Sequence, residues 1–281
     1  MHLRLGSRVL DLSTPKVMGV LNVTPDSFSD GGHFMDLEAA LAQAQQMVTA
    51  GASIIDVGGE STRPGSEPVS VQVELDRVLP VIEAIVETLD VAVSIDTSKP
   101  EVMREAAAAG ASMVNDIFAL RHEGTLEAVA ELDTAVCLMH MQGEPRTMQA
   151  APRYEDVTAE VRAFLAERVA ACVRAGIARE RITVDPGFGF GKTVEHNVEL
   201  LAGLSRLHAL ELPVTVGLSR KSTLGKLTGR PVDERMPAGV AAAVLAVERG
   251  ASIIRSHDVA PTVDAIRVAG AITQSGNFRE P

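Results

Sequence analysis

The stretch AGASII, residues 50–55, joins the end of an amphipathic helix directly to a buried β-strand. Related junctions recur as AGASMV at residues 109–114 and as GASII at residues 250–254. In each copy a Gly stands where a left-handed residue can end a helix, and a short apolar run of strand type follows it. The copies are unevenly spaced, which excludes a solenoid repeat. They indicate an α/β fold that uses one kind of helix-to-strand connection several times.

Eight apolar runs of strand type are each followed by a helical pattern. We expect strands at residues 17–22, 53–57, 91–95, 112–115, 135–139, 181–184, 214–216 and 252–255. We expect helices at residues 36–50, 73–88, 100–109, 125–132, 156–175, 194–209, 237–249 and 260–274. No linker or low-complexity stretch divides the chain. Eight is the strand number of the (β/α)8 TIM barrel, so we predict a single barrel domain over residues 1–281 rather than a doubly wound sheet.

The two ends of the chain are expected to lie outside the barrel proper. Leucines at positions 3, 5 and 12 flank the turn Gly6-Ser7, which predicts a β-hairpin within residues 1–13. Its apolar side chains would close one end of the barrel. Residues 275–281 are expected to form a C-terminal tail away from the site.

Composition narrows the class of protein further. The chain is 46 % apolar and only 3 % aromatic, which suits helices packed on a parallel sheet and does not suit a base-stacking platform. The net charge of −11 argues against nucleic acid or an anionic membrane as a partner. The chain lacks both a membrane-spanning apolar run and an apolar signal core, so we expect a cytoplasmic protein. Cys137 and Cys172 have no metal or disulfide spacing and are expected to be buried packing residues.

Polar side chains stand at the end of nearly every predicted strand. They are Asn22, Asp56 with Glu60, Asp96, Asn115 with Asp116, His140, Asp185, Ser219 with Lys221, and Arg255 with His257. In a barrel these strand ends meet at one rim, where barrel enzymes place their sites. The two longest connections, 57–73 and 139–155, also follow strands and therefore lie on that rim.

The predicted site has two chemically different ends. Asp96 and Asp185 can pair with the N–H groups of a heterocycle, whereas Lys221 and Arg255 adjoin buried strands and can hold a phosphate or a carboxylate. Two carboxylates also occur in glycosidases, but a chain with one Tyr and no Trp lacks the usual aromatic sugar platforms. The zinc-protease motif HExxH, a Cys/His cluster and a Gly-x-Ser-x-Gly elbow are all absent from the sequence.

The sequence DPGFGFGKT, residues 185–193, is the strongest local motif. It differs from a P-loop because Pro186 occupies the first Gly position, and from a dinucleotide fingerprint because Lys192 occupies the third. Its glycines would let the backbone approach a flat ligand, with Phe188 or Phe190 beside the ligand's ring.

Taken in order, the motifs resemble those of bacterial dihydropteroate synthase. They are MGVLNVTPDSFSDGG, IDVGGESTRPG, SIDTSKP, the pair Asn115-Asp116, MHMQGEPRTMQ, DPGFGFGK, SRKS and RSHDV, between about residues 16 and 257. The resemblance implies a (β/α)8 barrel, usually dimeric. It also implies that the enzyme joins 6-hydroxymethyl-7,8-dihydropterin diphosphate to 4-aminobenzoate in folate synthesis and releases diphosphate.

The resemblance also implies roles for individual residues. Asn22 would help to hold Mg²⁺ against the diphosphate, and catalysis would depend on Asp96, Lys221 and Arg255. The residues that contact the pterin would be Asp96, Asn115, Asp185 and Lys221. Those that bind the anionic groups would be Thr62, Arg63, Ser219, Arg255 and His257. Those that flank the aminobenzoate would be Phe28, Pro64, Phe190 and Ser219.

The family mechanism implied by the resemblance is a dissociative displacement, in which diphosphate departs before the aryl amine captures a pterin-methyl cation. A neutral aryl amine is already nucleophilic, so no Ser/His/Asp or Cys/His arrangement is required. Two alternatives remain: a pterin-dependent methyltransferase barrel that uses a corrinoid, and a catalytically silent paralogue that binds pterin. Arg63, Arg255 and the two long loops disfavour the first alternative, and the complete set of polar site residues disfavours the second.

Overall fold

A computed structural model describes residues 1–24, 33–61 and 67–273 of the chain. It begins with a hairpin of two antiparallel strands, β1 (His2–Leu5) and β2 (Arg8–Asp11), in which Leu3 lies opposite Leu10. Gly6 makes the turn with φ of +60°, a conformation that Gly adopts without strain. The predicted hairpin is therefore confirmed.

Eight parallel strands follow and form one sheet. They are β3 (Lys16–Asn22), β4 (Ile54–Gly58), β5 (Ala92–Asp96), β6 (Met113–Asp116), β7 (Ala135–Met139), β8 (Ile182–Asp185), β9 (Thr215–Gly217) and β10 (Ile253–Ser256). Their order in the sheet is β8-β7-β6-β5-β4-β3-β10-β9. A parallel bridge between Val184 and Val214 brings the two edge strands together and nearly closes the ring. The architecture is the predicted (β/α)8 barrel with an N-terminal hairpin.

The helices surround the sheet and pack on the outward-facing strand residues. They are α1 (His33–Thr49), α2 (Val71–Thr88), α3 (Pro100–Ala108), α4 (Thr125–Glu131), α5 (Val157–Arg174), α6 (Val194–Ala202), α7 (Ser222–Thr228), α8 (Met236–Glu248) and α9 (Val259–Thr273). No helix in the described part of the chain is long and apolar enough to cross a membrane.

Two of the helix predictions need correction. The helix predicted over 194–209 ends at Ala202, and a 3-10 helix, Leu204–Leu210, continues after Gly203. A Cβ at Gly203 would lie 2.8 Å from the Thr158 hydroxyl of α5, so this point is packed too closely for a larger residue. The short helix α7 was not predicted, because Gly225 and Gly229 weaken its helical pattern.

The amino-terminal end of the barrel is filled by apolar side chains. Leu3, Leu5 and Leu12 from the hairpin segment pack against inward-facing residues of six barrel strands, namely Met18, Ile54, Ala92, Met113, Ala135 and Ile253. All of these side chains are buried. The hairpin therefore closes this end, as predicted, and leaves the carboxyl ends of the strands as the open face.

Some of the predicted features lie outside the described residues. These are Phe28 in the loop after β3, then Thr62, Arg63 and Pro64 in the loop after β4, and the tail at 275–281. The roles predicted for these residues stay predictions.

Candidate active site

Arg255 on β10 lies at the centre of a charged cluster at the open face. Its Nε donates to Oδ2 of Asp56 at 2.6 Å, and its Nη2 donates to Oδ2 of Asp96 at 2.7 Å. Nδ2 of Asn115 donates to the same oxygen of Asp56 at 3.1 Å. These four residues lie on four different strands, and the alternation of side chains along a strand turns all of them into the barrel. The predicted residues Asp96, Asn115 and Arg255 are thus brought together.

The charges of this cluster shift one another's protonation. Burial raises the pKa of Asp96 to about 7, although the neighbouring Arg255 opposes the shift. Burial would lower the pKa of Arg255, but the carboxylates of Asp56 and Asp96 outweigh it and raise that pKa above its ordinary value. Arg255 therefore stays charged, and Asp96 changes its charge near neutral pH.

Asp56, which was predicted only as one of the polar residues at the strand ends and without a role of its own, also belongs to this cluster. It is fully buried, and its Oδ1 has no hydrogen-bond partner among the described residues. The signal that could have identified it is a carboxylate inside the apolar run IIDVG, where a fully buried charge requires a partner. The position of that partner, Arg255, depends on closure of the barrel.

Asp185 and Lys221 form a second group beside the first. Oδ1 of Asp185 accepts from the backbone N–H of Gly187 at 2.7 Å, and burial raises the pKa of Asp185 while Lys221 and Arg255 oppose that shift. Nζ of Lys221 donates to the Phe188 carbonyl at 2.6 Å. Burial lowers the pKa of Lys221 to about 8, with Asp185 acting in the opposite direction.

The two phenylalanines of the glycine-rich motif have different environments. Phe188 is 1 % exposed and belongs to the main hydrophobic core. Phe190 is only partly buried, and its ring centroid lies 4.2 Å from Nζ of Lys221. Of the two rings, Phe190 is therefore the one whose surroundings leave part of the ring accessible, and its predicted role beside the aminobenzoate stays a prediction.

Ser219 and His257 meet at the edge of this face. Oγ of Ser219 lies 3.2 Å from Nδ1 of His257 and also accepts from the backbone N–H of His257 at 3.3 Å. The neighbouring Arg220 is paired with Asp258 at 2.7 Å. The predicted pair Ser219 and His257 is therefore in direct contact, next to an ion pair that holds its two loops together.

Other polar residues at the strand ends hold loops. Asp116 is fully buried and accepts from the backbone N–H groups of Phe118 and Leu120 at 3.0 and 2.7 Å. Glu60 is paired with Lys99. These two carboxylates account for part of the polar character of the rim through contacts within the protein.

The space beside Asn22 suits a hard cation. Asn22 ends β3, and Gly58 lies opposite it on β4. A Cβ at Gly58 would lie 3.6 Å from Oδ1 of Asn22 and 3.9 Å from Oδ2 of Asp96, so both oxygens border the position of Gly58. Mg²⁺ prefers oxygen ligands and takes most of them from substrate phosphates and water. Among the described residues no group of three or more His, Cys, Asp or Glu could hold a metal.

Comparison with known proteins places this geometry in a family. Residues 18–257 match the family model described as pterin binding enzyme. The chain is 56 % identical over 262 residues to the dihydropteroate synthase of Escherichia coli (strain K12), and the match covers 93 % of each chain. It is 51 % identical over 268 residues to the dihydropteroate synthase of Haemophilus influenzae, covering 95 % of this chain and 98 % of the other.

Solved structures agree over nearly the full length. A Yersinia pestis dihydropteroate synthase in complex with a sulfonamide drug superposes with a TM-score of 0.93 at 52 % identity, covering 98 % of this chain and all of the other. A Xanthomonas albilineans dihydropteroate synthase in complex with 7,8-dihydropteroate gives a TM-score of 0.89 at 50 % identity, covering 97 % of this chain and 99 % of the other.

Proposed function

Since the chain belongs to the pterin binding enzymes, and within them to the dihydropteroate synthases, we propose how its site carries out the reaction of that family. The enzyme is a transferase that joins 6-hydroxymethyl-7,8-dihydropterin diphosphate to 4-aminobenzoate and releases diphosphate. The observation that carries the proposal is the contact of Arg255 with Asp56 and Asp96, beside Asp185 and Lys221.

The pterin binds among the acidic and amide side chains. Asp185 and Asn115 offer an acceptor and an amide to the polar edge of the bicyclic ring, and Asp96 lies on a neighbouring strand. A carboxylate that accepts N–H groups in a buried site forms a stronger hydrogen bond than a neutral acceptor does. In the proposed complex the reactive methylene carbon lies near Asp96.

The diphosphate binds at the basic end of the site. Arg255 uses two of its five N–H groups on Asp56 and Asp96, and the other three can face an anion. Ser219 and His257, with Thr62 and Arg63 outside the described residues, complete the proposed set. Asn22 would hold Mg²⁺ next to the diphosphate. When bound, Mg²⁺ supplies positive charge to the leaving oxygens.

We propose a dissociative order of bond changes. The bond between the pterin methylene carbon and the diphosphate oxygen breaks first, and both electrons leave with diphosphate. The ionised carboxylate of Asp96 lowers the energy of the cation left on the methylene carbon. The lone pair of the aryl amine then forms the carbon–nitrogen bond, and the amine gives up a proton to diphosphate. The ring of Phe190, with Phe28, Pro64 and Ser219, flanks the aminobenzoate.

Positional isotope exchange tests this order. The pterin diphosphate is labelled with oxygen-18 at the bridging position and incubated with enzyme and Mg²⁺, without aminobenzoate. Dissociative cleavage predicts that the label moves into the nonbridging positions of the adjacent phosphate, because diphosphate can rotate before the bond reforms. Label that stays in the bridge until aminobenzoate is added would contradict the dissociative order.

A turnover assay with both substrates tests the proposed need for Mg²⁺ and the activity itself. Dihydropteroate and diphosphate are followed with and without chelation of Mg²⁺, and we expect both products to disappear on chelation and return when Mg²⁺ is restored. Full activity after chelation would remove Mg²⁺ and Asn22 from the proposal. Pterin binding without any product would instead identify a silent pterin-binding paralogue. We also expect sulfonamides to inhibit in competition with aminobenzoate.

We propose that the chain forms a homodimer through an exposed apolar face. Leu245 on α8 and Val268 and Ile272 on α9 are 41 %, 60 % and 67 % exposed, and all three lie on the outer side of a pair of packed helices. A dimer formed there would bury this apolar face. Sedimentation should show a dimer that Val268→Glu dissociates and Val198→Glu, at an exposed position of α6, does not. A monomeric parent chain would contradict the proposal.

The predicted cytoplasmic location stays a prediction. Cys137 and Cys172 are both buried and free, which fits a reducing compartment.

A further inference from the structure

The turn that follows β8 is held by side chains at every carbonyl from Gly187 to Gly191, and we call it the 187–191 turn. Hydrogen bonds reach these carbonyls from Lys192 to Gly187 at 2.9 Å, Lys221 to Phe188 at 2.6 Å, Gln149 to Gly189 at 2.5 Å, Lys192 to Phe190 at 3.0 Å and Tyr154 to Gly191 at 2.8 Å. Five successive carbonyls that all accept from side chains indicate a turn fixed from outside its own backbone.

The backbone of this turn could not hold its shape alone. Gly187, Gly189 and Gly191 have φ values of +68°, +82° and +60°, and glycines lose more conformational freedom on folding than other residues. A Cβ at Gly187 would lie 1.9 Å from the His140 carbonyl, so the turn is pressed against the end of β7. Its conformation therefore depends on the groups that bind it.

Lys192 contributes more of these bonds than any other described residue. It is 3 % exposed, and burial lowers the pKa of Lys192 to about 7. In its protonated form each of the three N–H groups has an acceptor: the Gly187 and Phe190 carbonyls and Nδ1 of His140 at 2.9 Å. Because Nδ1 accepts, His140 is neutral with its proton on Nε2. Burial, and next the charge of Lys192, lower the pKa of His140 to about 2, in agreement with that state.

The two rings of the turn depend on Lys192 to different degrees. Phe188 is anchored by its own side chain in the hydrophobic core. Phe190 is only partly buried against a smaller apolar cluster that includes Met139 and Met148, and its backbone supplies the other contacts. Its N–H donates to the Gly187 carbonyl at 3.1 Å, and its carbonyl accepts from Lys192. Asp185 is fixed separately by the ladder between β8 and β7. Loss of Lys192 should therefore release Phe190 first and Asp185 last.

We propose that Lys192 is a positioning residue, which with His140 fixes the Phe190 ring beside Lys221 and so shapes the aminobenzoate side of the site. Its ammonium is fully occupied by protein acceptors and acts through the 187–191 turn. The inference rests on the proposed function only where Phe190 is assigned to the aminobenzoate.

Steady-state kinetics with both substrates varied test the proposal. Lys192→Met removes all three N–H donors at similar length, and His140→Leu removes the imidazole acceptor. Both should raise KM for aminobenzoate about tenfold or more, while the Kd of the pterin diphosphate changes less than about threefold. His140→Asn keeps an oxygen near the place of Nδ1 and should restore KM to within about threefold of the parent value. Lys226→Met, at an exposed lysine of α7, is the matched control.

A second readout needs no activity. The chain has no Trp, so Phe190→Trp introduces a single fluorescent reporter into the turn. Adding Lys192→Met should lower the emission anisotropy of that reporter, and adding Lys226→Met should leave it unchanged. If Lys192→Met does not fold, the pair His140→Leu and His140→Asn makes the same comparison.

Two results would overturn the proposal. In the first, Lys192→Met matches Lys226→Met in KM and in anisotropy. In the second, both substrate affinities and the melting temperature fall together, as they would for a residue that only supports the fold. A parent enzyme that makes no dihydropteroate would contradict the proposed function alone, because the anisotropy still decides the role of Lys192.

Discussion

The two ends of the barrel carry different kinds of side chain on the same inward face of the strands, apolar at one end and polar at the other. At the amino-terminal end, Met18, Ile54 and Ala92 pack beneath the hairpin leucines. Two or four residues further along the same strands, the same face carries Asn22, Asp56, Ser94 and Asp96. Successive residues of a strand alternate between faces, so these even spacings keep the side chains inside the barrel.

Within a single strand, the residues near its amino end therefore contribute to stability, and those near its carboxyl end contribute to the chemistry of the site. The amino-terminal end gains free energy by removing apolar surface from water. The carboxyl-terminal end buries Asp56 and Asp96, which are tolerated because both accept from Arg255, whose single positive charge offsets part of their negative charge. Substitutions at the first end should therefore lower stability with little effect on activity. Substitutions at the second end that leave no unpaired buried charge should lower activity with little effect on stability.

Arg255→Ala should give the largest effect, because it unbalances the charged end. It leaves Asp56 and Asp96 buried without their cation, which costs about 3–5 kcal/mol in the free energy of unfolding at pH 8. The charge of Arg255 lowers the pKa of Asp96, so without it that pKa rises above about 7, further from the unfolded value of 3.8. A raised pKa favours the protonated folded state, so the stability deficit should shrink as pH falls.

Chemical denaturation at pH 8 and pH 6 measures this change, and Arg174→Ala on the surface of α5 is the control. The same variant should also weaken binding of the pterin diphosphate far more than binding of the unphosphorylated pterin alcohol. An equal loss of affinity for both ligands would show that Arg255 supports the fold and does not bind the diphosphate. The two ends of the barrel would then not differ in function as proposed.

Leu3→Ala tests the other end of the barrel. Leu3 is fully buried against the inward-facing layer, and truncation of a buried Leu costs about 3 kcal/mol through lost burial and a residual cavity. Val9→Ala on the same hairpin should cost less than about 0.5 kcal/mol, because Val9 is 65 % exposed. Both variants should keep kcat and KM within about twofold below their melting temperatures. A fall in kcat for folded Leu3→Ala would show that the two ends are coupled.

The sequence predicts the apolar end and the ring of strands well, because both depend on local pattern. Gly51, Gly110 and Gly250, which were predicted to end helices, have φ values of +101°, +105° and +91°. The predicted strand 135–139 matches β7, and most other predicted bounds differ by one residue. Helix ends and strand starts are encoded by nearby residues and need no knowledge of the tertiary structure.

The contacts at the charged end could not be predicted in the same way. Arg255 and Asp56 are 199 residues apart, and their contact exists only after the sheet has closed. Which side chains become neighbours across the barrel depends on the pairing register of the strands, and a local sequence pattern does not give that register. Lys192 was assigned no role for a related reason, since two of its acceptors are backbone carbonyls, which every residue has, and the third, His140, is 52 residues away.

Asp185→Asn tests the charged end of the barrel with a smaller change than Arg255→Ala. The amide keeps an oxygen that can accept from the N–H of Gly187 but removes the negative charge. Loss of a charge-assisted hydrogen bond of about 1.5–3 kcal/mol should raise the Kd of the pterin about ten- to a hundredfold. Stability at pH 8 should not fall, because burial disfavours the charged carboxylate. Isothermal titration measures the change, with Asp233→Asn as an exposed control, and an unaltered Kd would remove Asp185 from the pterin site.

The pH dependence of kcat/KM for the pterin diphosphate offers the finest test, because it reports the charge of Lys221 at the open end. Burial also lowers the pKa of Lys192 to about 7, so a substitution at Lys221 is needed to separate the two lysines. Burial lowers the pKa of Lys221 to about 8, against the opposing pull of Asp185. A lysine loses its positive charge as pH rises through its pKa, so kcat/KM should fall above pH 8 by up to about tenfold per pH unit.

Lys221→Arg keeps the positive charge at all accessible pH values and should therefore remove this upper limb, even if it lowers the plateau. Lys226→Met should retain the limb, and ionisations of the substrates are common to all three enzymes. If the limb persists in Lys221→Arg, another group titrates there. The fall in kcat/KM above pH 8 would then come from a residue other than Lys221. The proposed catalytic role of Lys221 would be supported only by its position in the site.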